Sequence, residues 1–260
     1  MEGVVPILLQ LLFAFALAVA GSAISTWFGL SHGRLCALIS FAAGTLLGVT
    51  LFAILPETWH ATGWWRLLLA LASGYGVFFL VSKYVHHVCP ACAASHFDEE
   101  ATHRFSEIAT ALIVALAIHS TSDGLALAAG HESHGPHTQA HELAGALDWP
   151  LLLAICVHKV PEGLALGALL LGAGLKPTAA IGWVALVEST TILGGVIGVF
   201  VLRDVAPLWT GLLLAHVGGG FLYLAGHAVL GELVKHGKGL VLANFSIGFL
   251  LIGGLALALR

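Results

Sequence analysis

The chain contains His119-Ser-Thr-Ser-Asp123-Gly-Leu-Ala-Leu and, further along, His158-Lys-Val-Pro-Glu162-Gly-Leu-Ala-Leu. Both stretches follow one pattern: a histidine, three residues, an acid and then Gly-Leu-Ala-Leu. Side chains four positions apart lie on the same face of an α-helix, so each stretch would present an imidazole beside a carboxylate. Each copy therefore predicts half of a metal site.

The composition places these motifs in a membrane. The 260 residues are 58% hydrophobic and 9% charged, which a soluble core with a solvated surface does not allow. About 20 apolar residues span a bilayer. Taken as one transporter domain over 1–260, the chain is predicted to have eight membrane helices: 5–27, 35–58, 64–86, 104–130, 149–173, 177–200, 206–232 and 239–259. The first begins after Met-Glu-Gly, with an acid where a signal peptide has Lys or Arg, so we expect a membrane helix there.

The two motifs fall in the fourth and fifth spans, which cross the bilayer in opposite directions. A two-fold axis in the membrane plane then relates them, as in inverted-repeat transporters. The predicted fold is an all-α membrane protein with this symmetry, and the His-acid pairs lie at one depth near the midplane. Ionisable groups there are costly and usually mark a functional site. The alternative is a His-carboxylate hydrogen-bond network that only holds the helices together.

The predicted ligands narrow the choice of metal. Imidazole nitrogen and carboxylate oxygen without thiolate favour zinc, iron, manganese, cobalt or nickel over copper(I) or calcium. Cys156 lies two positions before His158 and should face away from the site. The ion is expected as a substrate, and no prosthetic group is predicted.

Two further charges are predicted within the membrane. Glu188 lies near the middle of the sixth span, and Lys159 follows His158 at the same depth. A pair between them would offset the cost of burying both charges. We therefore expect Lys159 to occupy a place that a second cation would otherwise take.

Basic residues predict the orientation, because short loops that carry Lys and Arg are retained on the cytoplasmic side of the membrane. With both termini outside, six basic residues are cytoplasmic and three are not. The cytoplasmic set is Arg34, Lys83, Arg104, Lys176, Lys235 and Lys238, and the outer set is Arg66, Arg203 and Arg260. Ten Lys and Arg against fourteen Asp and Glu leave no basic face for nucleic acid.

The chain resembles the ZIP (ZRT/IRT-like protein) metal transporters over nearly its whole length. The resemblance lies in the two motifs, in Phe41-Ala-Ala-Gly-Thr-Leu-Leu and Leu55-Pro-Glu57 of the second span, and in Gly220-Phe-Leu-Tyr-Leu-Ala of the seventh. It implies transport of zinc and related divalent ions toward the cytoplasm, and a possible homodimer. The compactness of the chain indicates a bacterial inner membrane.

The resemblance also implies a ligand set and one departure from it. The family's ligands correspond to His119, Asp123, His158, Glu162 and Glu188. Its two-metal pattern has Asn after the fourth-span histidine, and Asp or Asn after the fifth-span one. Here those positions are Ser120 and Lys159, which agrees with a single bound ion.

Two loops and several single residues supply further candidate ligands. The loop after the third span contains a C-x-x-C pair that either binds zinc, works in redox chemistry or stays unligated; its residues are His86, His87, Cys89, Cys92 and His96. The loop after the fourth span is either a metal collector or simply solvated; its histidines are His131, His134, His137 and His141. Entry or exit could involve Glu57, His60, His216, His227 and Glu232.

Two other functions use similar ligands. A polytopic zinc-dependent hydrolase would hold its metal with histidines and acids, but the chain lacks H-E-x-x-H and G-x-S-x-G. A hydrolase also has no use for a site that is symmetric toward both membrane faces. A membrane haem protein with paired axial histidines is the second alternative, which an absent visible absorption band would exclude.

Overall fold

The computed structural model describes residues 4–28, 32–85, 105–132, 145–202, 205–235 and 238–258. Within these ranges, eight helices are long and apolar enough to cross a membrane, which confirms the predicted all-α fold. They are α1 (Val4–Phe28), α2 (His32–Val49, Thr50–Ile54 and Leu55–Thr62 in succession), α3 (Trp64–Val85), α4 (Phe105–Glu132), α5 (Gly145–Gly172), α6 (Pro177–Leu202), α7 (Pro207–Lys235) and α8 (Lys238–Ala258).

Proline and glycine shape the helices and their tight connections. Pro56 lacks a backbone N–H and cannot donate a hydrogen bond to the carbonyl four residues earlier. The turn before it, Thr50–Ile54, is π-helical. Gly63 (φ 73°) joins α2 to α3, and Gly174 (φ 86°) lies between α5 and α6. Both conformations favour glycine. We call the two ends of the bundle the Gly63 side and the Gly174 side.

The outer surface of the bundle suits a bilayer. Leucine, valine and phenylalanine side chains are exposed along most helices, and so are all seven tryptophans. Tryptophan collects at the level of the lipid headgroups. Six of the seven lie close to a helix end: Trp27, Trp59, Trp64, Trp65, Trp149 and Trp209.

The helices pack as two groups of four. In the site group (α1, α4, α5 and α6), α4 packs mainly on α6, α5 on α1, and α1 also on α6. In the frame group (α2, α3, α7 and α8), α8 packs on α2 and α3 on α7. The groups meet where α2 contacts α5 and α7 contacts α4. The two helices that carry the motifs therefore belong to one unit.

Four helix crossings each use one pair of glycines in the same way, and these pairs account for eight of the 32 glycines. In each crossing, a Cβ on either glycine would overlap the carbonyl three residues before its partner glycine. Small residues permit such close backbone approach in membranes. The pairs are Gly21 with Gly163, Gly124 with Gly194, Gly44 with Gly248, and Gly74 with Gly219.

These crossings express the inverted repeat. The α1–α5 crossing corresponds to α6–α4, and the α2–α8 crossing to α7–α3. Gly124 and Gly163, which follow the acid in each motif, occupy equivalent positions in this scheme. The shared pattern of the two motifs thus includes a packing contact as well as two polar side chains.

Candidate metal site

The four predicted ligands from the two motifs converge near the middle of α4 and α5. His119, Asp123, His158 and Glu162, called the quartet below, each offer one donor atom, and these atoms lie within 4.8 Å of one another. All four side chains are buried. The i,i+4 spacing places His119 Nε2 3.6 Å from Asp123 Oδ2 within α4.

Contacts between the two helices complete the quartet. His158 Nε2 lies 3.2 Å from Asp123 Oδ2, and His119 Nε2 lies 3.9 Å from Glu162 Oε1. A tetrahedral zinc ion with bonds of about 2.1 Å holds its ligand atoms about 3.4 Å apart. Small side-chain rotations would therefore close the quartet around one ion.

The backbone of α5 orients one of the imidazoles. His158 Nδ1 lies 2.9 Å from the carbonyl oxygen of Ala154. A neutral imidazole that donates from Nδ1 leaves the lone pair of Nε2 for a metal. That lone pair then faces Asp123 Oδ2, another acceptor, and a cation between the two would satisfy both.

Lys159 lies fully buried beside the quartet, inside a cage of oxygens. Its Nζ is 2.8 Å from Asp123 Oδ2 and 2.9 Å from both Glu162 Oε2 and Glu188 Oε2. It also donates to Ser120 Oγ at 2.8 Å. The predicted pair between Lys159 and Glu188 is present, and the ammonium connects α4, α5 and α6 as well.

The charge in this region is only partly balanced. Three carboxylates surround a single ammonium, and all four groups are buried. Within the described part of the chain, Asp123 Oδ1, Glu188 Oε1 and His119 Nδ1 are buried without a hydrogen-bond partner. Unpaired buried polar atoms are costly, so the arrangement suits a site that receives a cation.

Two aromatic rings from the frame group cover the imidazoles. The Phe221 ring centroid lies 6.4 Å from that of His119 and 6.2 Å from that of His158. Phe78 meets His119 edge to face at 6.0 Å. Sequence reasoning missed both residues, because nothing in their local pattern indicates which helix faces the site.

A small cavity reaches the quartet from the Gly174 side. It has a volume of about 70 Å³, and His119, His158 and Glu162 form part of its wall. The rest of the lining comes from Pro161, from the first half of α2 and from the second half of α7: Ile39, Ala42, Ala43, Leu46, Leu224 and Ala228. Helix α5 continues through Pro161 without a break.

The other described candidate ligands are not part of the quartet. Glu57 and His60 are exposed near the end of α2. The Nδ1 atom of His216 lies 2.8 Å from Ser73 Oγ, and the ring of His227 stacks on that of Tyr223. His131 is half-buried at the end of α4. The remaining loop candidates, and the side chain of Glu232, lie outside the described residues: His86, His87, Cys89, Cys92, His96, His134, His137 and His141.

Comparison with known proteins identifies the family of the chain. The family model for the ZIP zinc transporters matches residues 91–259, which include both motifs and Glu188. An uncharacterized protein of Methanocaldococcus jannaschii is 29% identical over 188 residues, covering 71% of this chain and 68% of that protein.

Proposed function

Because this chain belongs to the ZIP zinc transporter family, we propose that it carries a single divalent transition metal ion at a time through the quartet, with zinc as the favoured substrate. The observation that carries the proposal is the convergence of two imidazoles and two carboxylates at the centre of the bundle. Iron, manganese, cobalt and nickel share this ligand chemistry. Family membership indicates a transporter rather than a hydrolase.

The proposal of one bound ion rather than two rests on the position of the Lys159 ammonium. Its ammonium already occupies the oxygen cage formed with Ser120 and Glu188, with contacts of 2.8–2.9 Å. A second divalent ion there would meet a fixed positive charge at very short range. In this proposal Glu188 holds Lys159 in place, and the metal binds on the histidine side.

The cavity supports release toward the Gly174 side. We place that side in the cytoplasm and both termini outside, because five described basic residues lie at Gly174-side helix ends or connections: Arg34, Lys83, Lys176, Lys235 and Lys238. The whole chain then forms one transporter domain in a bacterial inner membrane. Dimer formation is part of the same proposal.

The test is uptake of radioactive zinc into proteoliposomes. Glu162→Gln keeps the size of the side chain but removes a charged ligand, and we expect at least a tenfold loss of uptake, since even outer-sphere changes at metal sites cost about 10- to 100-fold. Lys238→Gln, which removes an exposed charge at the start of α8 and lies outside the quartet, is the control and should keep the wild-type rate.

Equilibrium zinc binding separates this proposal from a structural hydrogen-bond network. If the quartet only holds helices together, Glu162→Gln will unfold at a lower temperature yet bind and transport zinc as the wild type does. That outcome would contradict the transport site.

A further inference from the structure

A large groove lies on the Gly63 side, between the site group and the frame group. It has a volume of about 810 Å³, within the roughly 300–1,000 Å³ of sites that hold drug-sized ligands. Leu125 and Val201 form the wall from the site group, and Leu69 and Leu212 belong to the wall from the frame group. The groove and the cavity beside the quartet share no lining residue.

The charge of the groove disfavours a cation. Arg66, at the start of α3, is its only charged lining residue in the described part of the chain. The deeper polar groups are Ser73 and His216, which contact each other at 2.8 Å. A route for divalent ions would not place a guanidinium at its mouth, since like charges repel.

The groove follows the layers of a membrane. Arg66 stands next to the exposed and mutually stacked Trp64 and Trp65, and tryptophan marks the headgroup level. Ser73 lies seven residues deeper along α3, about 10 Å at 1.5 Å per residue. A positive charge at headgroup level thus stands above an apolar trough that runs into the hydrocarbon region.

We propose that this groove binds one anionic phospholipid, with the phosphate on Arg66 and an acyl chain in the trough. Arginine pairs with phosphate through two parallel hydrogen bonds, and the aliphatic walls suit a hydrocarbon chain. Because both helix groups line the groove, a bound chain contacts both and fills the gap between them on the side away from the cavity.

The proposed contact between the lipid phosphate and Arg66 is tested by measuring which lipid the purified protein retains. Wild type, Arg66→Gln and Arg34→Gln are purified without added metal in detergent that contains equal phosphatidylglycerol and phosphatidylcholine, and the retained lipid is identified by native mass spectrometry. The wild type should retain one phosphatidylglycerol in preference. Arg66→Gln should weaken that retention about fivefold, the factor equivalent to about 1 kcal/mol for one basic residue at an anionic surface.

Arg34→Gln is the matched control, since Arg34 is an exposed arginine near a helix end on the other side of the bundle. It should leave retention unchanged. Equal retention of both lipids by the wild type, or unchanged preference in Arg66→Gln, would overturn the proposal.

The proposed binding of an acyl chain in the trough is tested by filling the trough with a larger side chain. Val201 is exposed and lines the groove, whereas Leu193 is exposed on the same helix but is not a groove residue. Val201→Trp should therefore lower phosphatidylglycerol retention and Leu193→Trp should not. Equal retention by both variants would overturn the proposal. So would a change from dimer to monomer in Val201→Trp with the bound lipid retained, because the groove would then hold a second copy of the chain. Zinc takes no part, so the outcome is independent of metal transport.

Discussion

Removing the charge of Lys159 should destabilise the protein and open a second cation position. The Nζ atom lies within 2.9 Å of oxygens from Asp123, Glu162 and Glu188. Lys159→Met would leave three buried carboxylates facing one another. Lys159→Asp would add a fourth carboxylate and leave a cage that suits a divalent ion.

The magnitude follows from the loss of a buried partner. Breaking a buried ion pair costs about 3–5 kcal/mol, and each kcal/mol shifts the unfolding temperature by about 2–4 °C in chains of 150–250 residues. In chelator, Lys159→Met should unfold about 6–20 °C below the wild type. A second zinc ion at about 100 times its Kd returns about 2.7 kcal/mol, so zinc should raise the unfolding temperature of Lys159→Asp more than that of the wild type.

The assay combines thermal unfolding with metal analysis after gel filtration. The wild type should hold one zinc per chain and Lys159→Asp two. Lys176→Asp introduces the same charge change at an exposed connection between α5 and α6, and it should keep one. One zinc in Lys159→Asp, with the same zinc-induced shift as the wild type, would refute the idea that the ammonium occupies a cation position.

Two further substitutions test the packing around the site. Gly163→Leu would drive a side chain into the Ala18 carbonyl of α1, and this overpacking should cost about 1–3 kcal/mol, measured as a lower unfolding temperature. Gly182→Leu, at an open position, should leave the unfolding temperature unchanged. Equal effects of the two substitutions would contradict the close crossing of α1 and α5. Phe221→Ala should weaken zinc binding about two- to tenfold in a competition assay with a chelating dye, because an aromatic contact contributes about 0.5–1.5 kcal/mol. The exposed Phe79 provides the control, and an unchanged zinc affinity in Phe221→Ala would show that the ring does not support the imidazoles.

The sequence predicts the local part of the site well. Helical spacing alone brings each histidine beside its acid, and matched depth in two antiparallel spans brings the pairs together. The Lys159–Glu188 contact also follows from elementary electrostatics, because two opposite charges at one depth in lipid have few other partners. These inferences need only the helix period and the membrane.

The sequence does not predict which helices surround the site. Phe78 and Phe221 lie in spans whose few polar residues do not mark a face toward the site, so the pattern does not distinguish a side that meets the histidines from a side that meets lipid. The same ambiguity hides the alanines that line the cavity. The glycine content predicts close packing, but the partner of each glycine depends on the tertiary arrangement.

The reciprocal glycine crossings allow the two halves of the chain to be compared position by position. Gly163 corresponds to Gly124, so Lys159 corresponds to Ser120; Gly194 corresponds to Gly21, so six positions earlier Glu188 corresponds to Phe15. Among the buried charged residues of the described part of the chain, Lys159 and Glu188 are thus the two that the repeat does not match, and they pair with each other at 2.9 Å.

This unmatched pair adds no net charge to the site. What the two halves share is one imidazole and one carboxylate each, and it is the quartet that carries the remaining two negative charges. A single divalent ion balances those two charges, whereas a monovalent ion leaves one unpaired in the membrane interior, where uncompensated charge is costly. The repeat would therefore account for the charge of the proposed substrate, and the departure from the repeat would account for the proposed binding of one ion rather than two.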